Sequence, residues 1–494
     1  MTVRSTTGDG YPQPRPAIER TSPIDLMALA SELPDAPAQV AAVLVLGSAA
    51  TFDLAAVRGV IGERARAVPR LRQRLIRAPL GCGRPVWVDD PHFDIRHHIQ
   101  AVRCPAPGDE TALLGVVADM VARRLPANRP LWSATLVTAL AGGGAALIVT
   151  LHHVVADGIG GLAVLAHLVD GIPTGPGVDF PRGRPDRKAL FLDALGARLR
   201  AVAHLPAGVR RLRAAIAELA ASGTSGAPRS SLNQPTGVRR SLAVVRTDLA
   251  LVQRAAHAHG ATVNDVVLTA VTGALHRVLH DRGENVNEFV ISVPTSARRA
   301  ATANELGNQV GVMPVPVTVT GDLSQRLTAV ARTTRTRKPA APSASAAVVG
   351  PAFRALAWLG AMRWFVDRQR LVTTFVTNLR GPADRLSFLA APITDILAVS
   401  PISGNVTVAF AALSYAGSLV VTVIADPWRC PDLPLLVSRL QDQLDQLSAE
   451  PGEQPQRAAD VIQGRHTDDA AVRVTSRHPP AHNGRSRPRE LRVQ

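Results

Sequence analysis

Residues 147–161, Leu-Ile-Val-Thr-Leu-His-His-Val-Val-Ala-Asp-Gly-Ile-Gly-Gly, restrict the possible folds of this chain more than any other stretch. A continuous apolar run bounded by glycine-rich segments is the pattern of a strand covered on both faces. A tight polar turn follows it, and a helix is expected to open at Gly160 to Leu162. Side chains alternate along a strand, so the adjacent His152 and His153 point to opposite faces. One of them can face a channel; the other is held inside. Asp157 and Gly158 bend the chain, and the turn is expected to use the positive φ that glycine permits. The chemistry that fits is a histidine general base, because a neutral imidazole near pH 7 can take a proton from a hydroxyl, amine or thiol attacking a carbonyl. Asp157 lies too near in sequence to act as a free second base. It is expected to fix the turn through an arginine elsewhere in the fold. A single histidine at a strand end is usually a packing residue. The full His-His-x-x-x-Asp-Gly pattern between strand and helix arises by chance in only about one such chain per thousand.

His152-His153-x-x-x-Asp157-Gly158 resembles the HHxxxDG motif of the CoA-dependent acyltransferase superfamily, which includes chloramphenicol acetyltransferase and peptide-synthetase condensation domains. Within it the chain most resembles bacterial wax ester synthase/diacylglycerol acyltransferases. Further segments resemble that family in order along the chain. They are Ser22-Pro23-x-Asp25, the basic run Pro69 to Leu75, Pro130-Leu131-Trp132, and the Leu232-Asn233 entry element ending at Arg239 and Arg240. Asn264-Asp265, Val293-Pro294-Thr295-Ser296-x-Arg298, Gly307-Asn308 and Thr377-Asn378-Leu379-Arg380-Gly381-Pro382 follow. The last departs from the family's S-N-V-P-G-P pattern at Thr377, Leu379 and Arg380, and the aromatic and Met residues that usually follow the first are replaced by Ala28, Leu29 and Ala38-Gln39-Val40.

Composition narrows the partners. The net charge of +16 is nearly all arginine, lysine occurring only at Lys188 and Lys338, and fits nucleic acid, anionic lipid or an anionic substrate such as an acyl-CoA. With 3% aromatic residues and no zinc-finger or RNA-binding signature, base-stacking platforms are not expected. Cys82, Cys104 and Cys430 are far apart and spell neither a disulfide framework nor a zinc site, so no metal is expected. Residues 1–20 lack the apolar core of a secretory signal. No unbroken apolar run is long enough to predict a transmembrane helix.

The pattern along the chain divides it into five parts. These are a disordered start (1–20), a first domain carrying the motif (21–175), a linker with basic helices (176–231), a second domain (232–448) and a disordered tail (449–494). Strands are expected at Val40 to Leu46, Ser133 to Leu140, Phe289 onward and Val312 to Val319. A hairpin is expected from residues 403–408 and 413–419. Several residues have a plain structural reading beside a functional one. Arg70, Arg72 and Arg74 read as a solvated basic face, or as contacts for the phosphates of CoA. His97-His98 lacks the Asp-Gly turn and reads as a packing pair, as does Trp132. Asn264 and Asp265 sit at a helix start and either cap it or shape the active channel. The basic stretch Leu190 to Ala221 either bridges the domains or lies on an anionic membrane. The segment Phe353 to Phe365, with Trp358 and Trp364, fits an interfacial helix, a buried helix or a tunnel wall.

The resemblance, over residues 21–448, implies an α/β fold of two similar chloramphenicol-acetyltransferase-like domains. Each has a mixed sheet, and the active-site channel lies at their interface. It implies an O-acyltransferase that moves a long-chain acyl group from acyl-CoA to diacylglycerol, a long-chain alcohol, or both. Acyl-CoA is a substrate and no cofactor is required. His153 is the implied general base and His152 the inward partner. Asp157 and Gly158 set the turn, Arg298 is the candidate partner of Asp157, and Asn378 is a candidate donor near the developing oxyanion. The expected location is the cytoplasm, with peripheral contact to an anionic inner membrane or lipid droplets. A non-catalytic lipid-binding or scaffold protein is the rival reading, together with an acyltransferase using another acceptor or a carrier-bound donor.

Overall fold

The computed structural model describes residues 18–33, 36–47, 52–171, 180–203, 226–296, 310–337, 353, 356 and 359–449. Arg298, Gly307-Asn308, residues 176–179 and 204–225 of the 176–231 linker and the tail beyond residue 449 lie outside these, as does most of the stretch 353–358.

The first half runs β1 (Glu19–Arg20), α1 (Pro23–Ser31), β2 (Gln39–Leu46), α2 (Leu54–Ala67), β3 (Gln73–Ile76), β4 (Val86–Asp89), β5 (Ile99–Arg103) and α3 (Glu110–Ala122). It continues with β6 (Trp132–Thr138), β7 (Ala145–His152), α4 (Gly158–Leu168) and α5 (Arg187–Ala203). The second runs β8 (Ser241–Asp248), α6 (Leu249–Ala258), α7 (Val263–Asp281), β9 (Glu288–Ser296), β10 (Val310–Thr318) and α8 (Leu323–Arg337). After it come α9 (Met362–Val366), β11 (Thr374–Arg380), β12 (Ser387–Phe388), β13 (Ala391–Val399), β14 (Val408–Tyr415), β15 (Ser418–Ala425) and α10 (Leu433–Ser448).

Short polar residues start several of these helices. Ser22 and Asp25 form a reciprocal capping box on α1, with Pro23 in its first turn. Asp53, Asp109, Asp157 and Asp248 each accept a backbone N–H of the helix they precede. A cap of this kind contributes about 1 kcal/mol.

Among the described residues the long strands form two six-stranded mixed sheets, in the orders β12-β13-β2-β7-β6-β5 and β10-β9-β11-β14-β15-β8. A small sheet β1-β4-β3 lies beside them. This is the two-domain α/β architecture that the sequence implied, with one exchange. Residues 387–399, late in the chain, supply β12 and β13 to the first sheet, where β13 runs antiparallel to β2. The expected hairpin is shifted: β14 pairs with β15 from Val408↔Ala425 to Tyr415↔Ser418.

The halves are held by both oil and charge. One apolar cluster joins Val43, Leu113 and Ile148 of the first half to Leu397, Val420 and Ile424 of the second. Arg246 of β8 reaches Glu110 of α3 and, at 2.8 Å, Asp395 of β13. Next to the small sheet, Arg70 and Arg72 depart from the solvated-face reading. Arg70 stacks 4.2 Å over the Trp87 ring and meets Glu19 at 3.3 Å, while buried Arg72 lies 4.3 Å over Phe180. Their stems and planes pack instead of facing water, which a guanidinium does at lower cost than an ammonium.

Candidate active site

Every residue of β7 is buried, which is why its sequence is apolar without alternation. The strand is paired on both sides, Gln39↔His152 to β2 and Trp132↔Leu151 to β6. His152 ends the strand. Its Nδ1 accepts the Val154 N–H at 3.0 Å, so the proton of the neutral ring sits on Nε2, 3.3 Å from Glu32 Oε2. Burial pushes the Glu32 carboxyl up, but the hydrogen bond with His152 and the charges of His152 and Arg124 hold it below its ordinary value. The inward histidine therefore ties the end of α1 to the motif strand.

One residue on, the His153 N–H donates to Ala38 O at 2.8 Å, and its ring turns to the other side. There it lines a cavity of about 140 Å³. Burial pushes the His153 pKa below the ordinary histidine value, opposed by its own backbone carbonyl and by Asp157. The ring is thus held neutral at pH 7, as a proton acceptor requires.

Asp157 is buried and caps α4, its Oδ1 accepting the Gly160 N–H at 2.7 Å. The helix accordingly starts at Gly158, two residues before the expected opening. Gly158 does not use positive φ, contrary to the expectation. The reason for a glycine is close approach: a Cβ there would stand 2.8 Å from Leu379 Cδ2. Leu379 is one of the residues that departs from the family pattern, and it lies against the turn.

The cavity is walled by both halves. Val40, Leu151 and Leu162 come from the first, Pro294, Thr377, Asn378, Leu379 and Leu413 from the second, and Ser400 from the end of the exchanged strand β13. Arginine in the usual Pro position lets β11 stay paired with β14 through Arg380↔Ser414. The sequence reading missed Ser400. Its hydroxyl is buried and has no hydrogen-bond partner among the described residues. No local pattern marks it, since only the pairing of β13 with β2 brings it here.

Other candidates lie elsewhere. Asp265 is buried in the capping box of α7, its Oδ2 taking the Thr262 N–H and hydroxyl and its Oδ1 the Thr334 hydroxyl. That is its capping role, and neither it nor Asn264 lines the cavity. His98 stacks on Trp132 with ring centroids 4.7 Å apart, and its Nδ1 donates to Trp132 O. The Trp132 indole donates to Leu71 O at 2.7 Å. Both are packing residues.

Comparison with known proteins places this geometry. A family model for the wax ester synthase/diacylglycerol acyltransferase catalytic domain matches residues 21–267, and one for the C-terminal domain of the same enzymes matches residues 306–448. A Mycobacterium tuberculosis protein described as a diacylglycerol O-acyltransferase, tgs1, is 30% identical over 411 residues, covering 80% of this chain and 88% of that protein. A second from the same organism, Rv1760, is 27% identical over 449 residues, covering 84% and 88%. Among solved structures, the wax ester synthase/diacylglycerol acyltransferase of Marinobacter aquaeolei VT8 superposes with a TM-score of 0.62 at 22% identity, covering 87% of this chain and 98% of that one. The first condensation domain of the calcium-dependent antibiotic synthetase gives 0.61 at 19%, covering 88% and 96%. At these identities the two structures speak for the fold.

Proposed function

Because this chain belongs to the wax ester synthase/diacylglycerol acyltransferase family, we propose that it moves a long-chain acyl group from acyl-CoA to the hydroxyl of diacylglycerol or of a long-chain alcohol. The observation that carries the mechanism is His153, lowered in pKa and set in a largely apolar cavity walled by both halves. His153 takes the acceptor's hydroxyl proton as the oxygen attacks the thioester carbonyl. The carbon–sulfur bond then breaks, and the departing thiolate takes that proton back from the imidazolium. No covalent enzyme intermediate is needed, and no cofactor enters the balance.

His152 and Glu32 fix the backbone that carries His153, and Asp157 fixes the start of α4 through its cap. Asn378 is the amide in the cavity wall assigned to the developing oxyanion, a position where one donor is typically worth about a hundredfold or more in rate. Arg298, which lies outside the described residues, is proposed as the partner of Asp157 on the resemblance alone. No helix among the described residues is long and apolar enough to cross a membrane. Peripheral contact is assigned to α5, whose Phe191, Leu192, Leu195 and Leu199 are exposed beside Arg198 and Arg200.

The test is CoA release by the purified protein from palmitoyl-CoA, with diacylglycerol and with hexadecanol supplied separately. Acceptor-dependent release that is lost in His153→Ala supports the reading and names the acceptor. Release that persists in His153→Ala removes the general-base assignment. No release with either acceptor from folded protein removes the proposed substrates.

A further inference from the structure

A second opening, of about 430 Å³, lies wholly in the C-terminal half, between α7, α8 and α10. It stands at the far end of β9 from the His153 cavity. Pro294 of that strand lines the cavity, whereas Val319, in the wall of the cleft, donates its N–H to Asn287 O just before the strand begins. Six to seven residues of strand separate the two places by about 20 Å. Buried Phe289, Ile291 and Val293 fill the interval, so one ligand does not span both.

The cleft is built for negative charge. Arg277, Arg326 and Arg439 line it with Asp281 as the only carboxylate, and Arg439 meets that carboxylate at 3.3 Å. Two positive charges remain unmatched in the lining. The Nε atoms of Arg326 and Arg439 are buried without a hydrogen-bond partner among the described residues. Burial, and then the like charge of Arg277, lower the pKa of Arg326 against the opposing charge of Asp322, a cost that a bound anion relieves. His276 is fixed in the cleft wall by donating Nδ1–H to Val286 O at 2.9 Å.

Two residues that break local rules hold Arg326 in place. Gln443 is fully buried on a face of α10 that is otherwise Leu436, Leu440, Leu444 and Leu447. Its Oε1 accepts from Arg326 Nη2 at 3.4 Å. Gly273 sits inside α7, where a Cβ would stand 2.1 Å from that same oxygen. A glycine within a helix costs about 1 kcal/mol and a buried amide costs more unless it is bonded. Both costs are incurred at one guanidinium, a pattern that marks function more often than packing.

We propose that this cleft binds a phosphate monoester dianion, carried by a small soluble molecule or by a lipid headgroup, at a site separate from acyl transfer. The unmatched pair of charges fits a dianion, guanidinium forks fit phosphate oxygens, and the volume lies in the range of small-ligand pockets.

The test is calorimetric titration of the full chain with glycerol 3-phosphate, and co-sedimentation with phosphatidylcholine vesicles containing or lacking phosphatidate. Saturable binding to either is expected, weakened about tenfold or more in Arg277→Gln and in Arg326→Gln. Arg254→Gln, an exposed arginine on α6, should leave it unchanged. Binding to the soluble ester assigns a small molecule; binding to phosphatidate vesicles alone assigns a headgroup. Arg277 forms no ion pair among the described residues, so Arg277→Gln keeps the test valid if Arg326→Gln does not fold. No saturable binding to either probe overturns the proposal. So does binding that Arg254→Gln weakens as much as Arg277→Gln does.

Discussion

The cavity at His153 and the cleft at Arg326 treat charge in opposite ways. The cavity takes its walls from both halves of the chain, is mostly apolar, and holds a histidine whose burial keeps it uncharged. The cleft takes its walls from one half and holds guanidiniums that stay charged despite burial. A neutral ester and a neutral alcohol need a dry space and a base that has not already taken its proton. An anion needs unmatched positive charge and rigid donors. Net charge alone cannot separate the two, because the +16 is a sum over the whole chain.

The largest effect should come from the base. His153→Ala is expected to lower kcat by about a thousandfold, within the range of general-base contributions, with little change in Tm. Arg277→Gln should leave kcat as it is, and a large fall there would break the separation of the two sites. The acid limb of kcat/KM should lie below the ordinary histidine value of about 6.5, because a lowered pKa keeps the base neutral at more acid pH. A limb at or above that value would contradict the burial of the ring.

Much of the first region was legible because its signals are local. Unbroken apolar character gave β7, and alternation put only one of His152 and His153 toward a channel. Asp157 carried a local signal too, an Asx residue before a helix, and its cap on the Gly160 N–H was not read from it. Gly158 could not be read correctly, because its reason is Leu379, more than 200 positions later. The exchange of β13 was equally hidden, since an apolar strand fits either sheet until its partner is known. In the second region the clue was present but unused: Gln443 interrupts a leucine face of period 3.6.

A smaller effect tests how firmly the motif strand is held. Glu32→Gln keeps the shape but removes the charge facing His152, and should cost about 1–2 kcal/mol near neutral pH. The folded-state pKa of Glu32 is lowered, so the unfolded chain binds more protons. The stabilisation is therefore present above the ordinary carboxylate value of about 4.3 and is lost as pH falls through the folded value. Urea unfolding of the two proteins should differ near pH 6 and converge in acid. A difference independent of pH would assign the loss to packing.

Gly158→Ala should act more weakly, because the new methyl meets the end of a flexible side chain. Leu379 must rotate, changing the cavity wall, and KM is expected to rise a few-fold, equivalent to about 1 kcal/mol. Leu379→Ala in the same chain should restore it. Additive losses in the double variant would show that the two residues do not meet during turnover.

Ser400→Ala gives the smallest change and the most informative sign. In the free protein the Ser400 hydroxyl is buried with no partner among the described residues, an arrangement that costs stability. Replacing it with a methyl-sized group removes that cost, so Tm should hold or rise slightly. If the hydroxyl bonds substrate in the His153 cavity, kcat/KM should fall a few-fold in the same variant. Stability and activity then move in opposite directions, which a packing residue does not do. A fall in Tm with unchanged kcat/KM would instead place Ser400 in the frame of β13, and leave the polar chemistry of the cavity to His153 and Asn378.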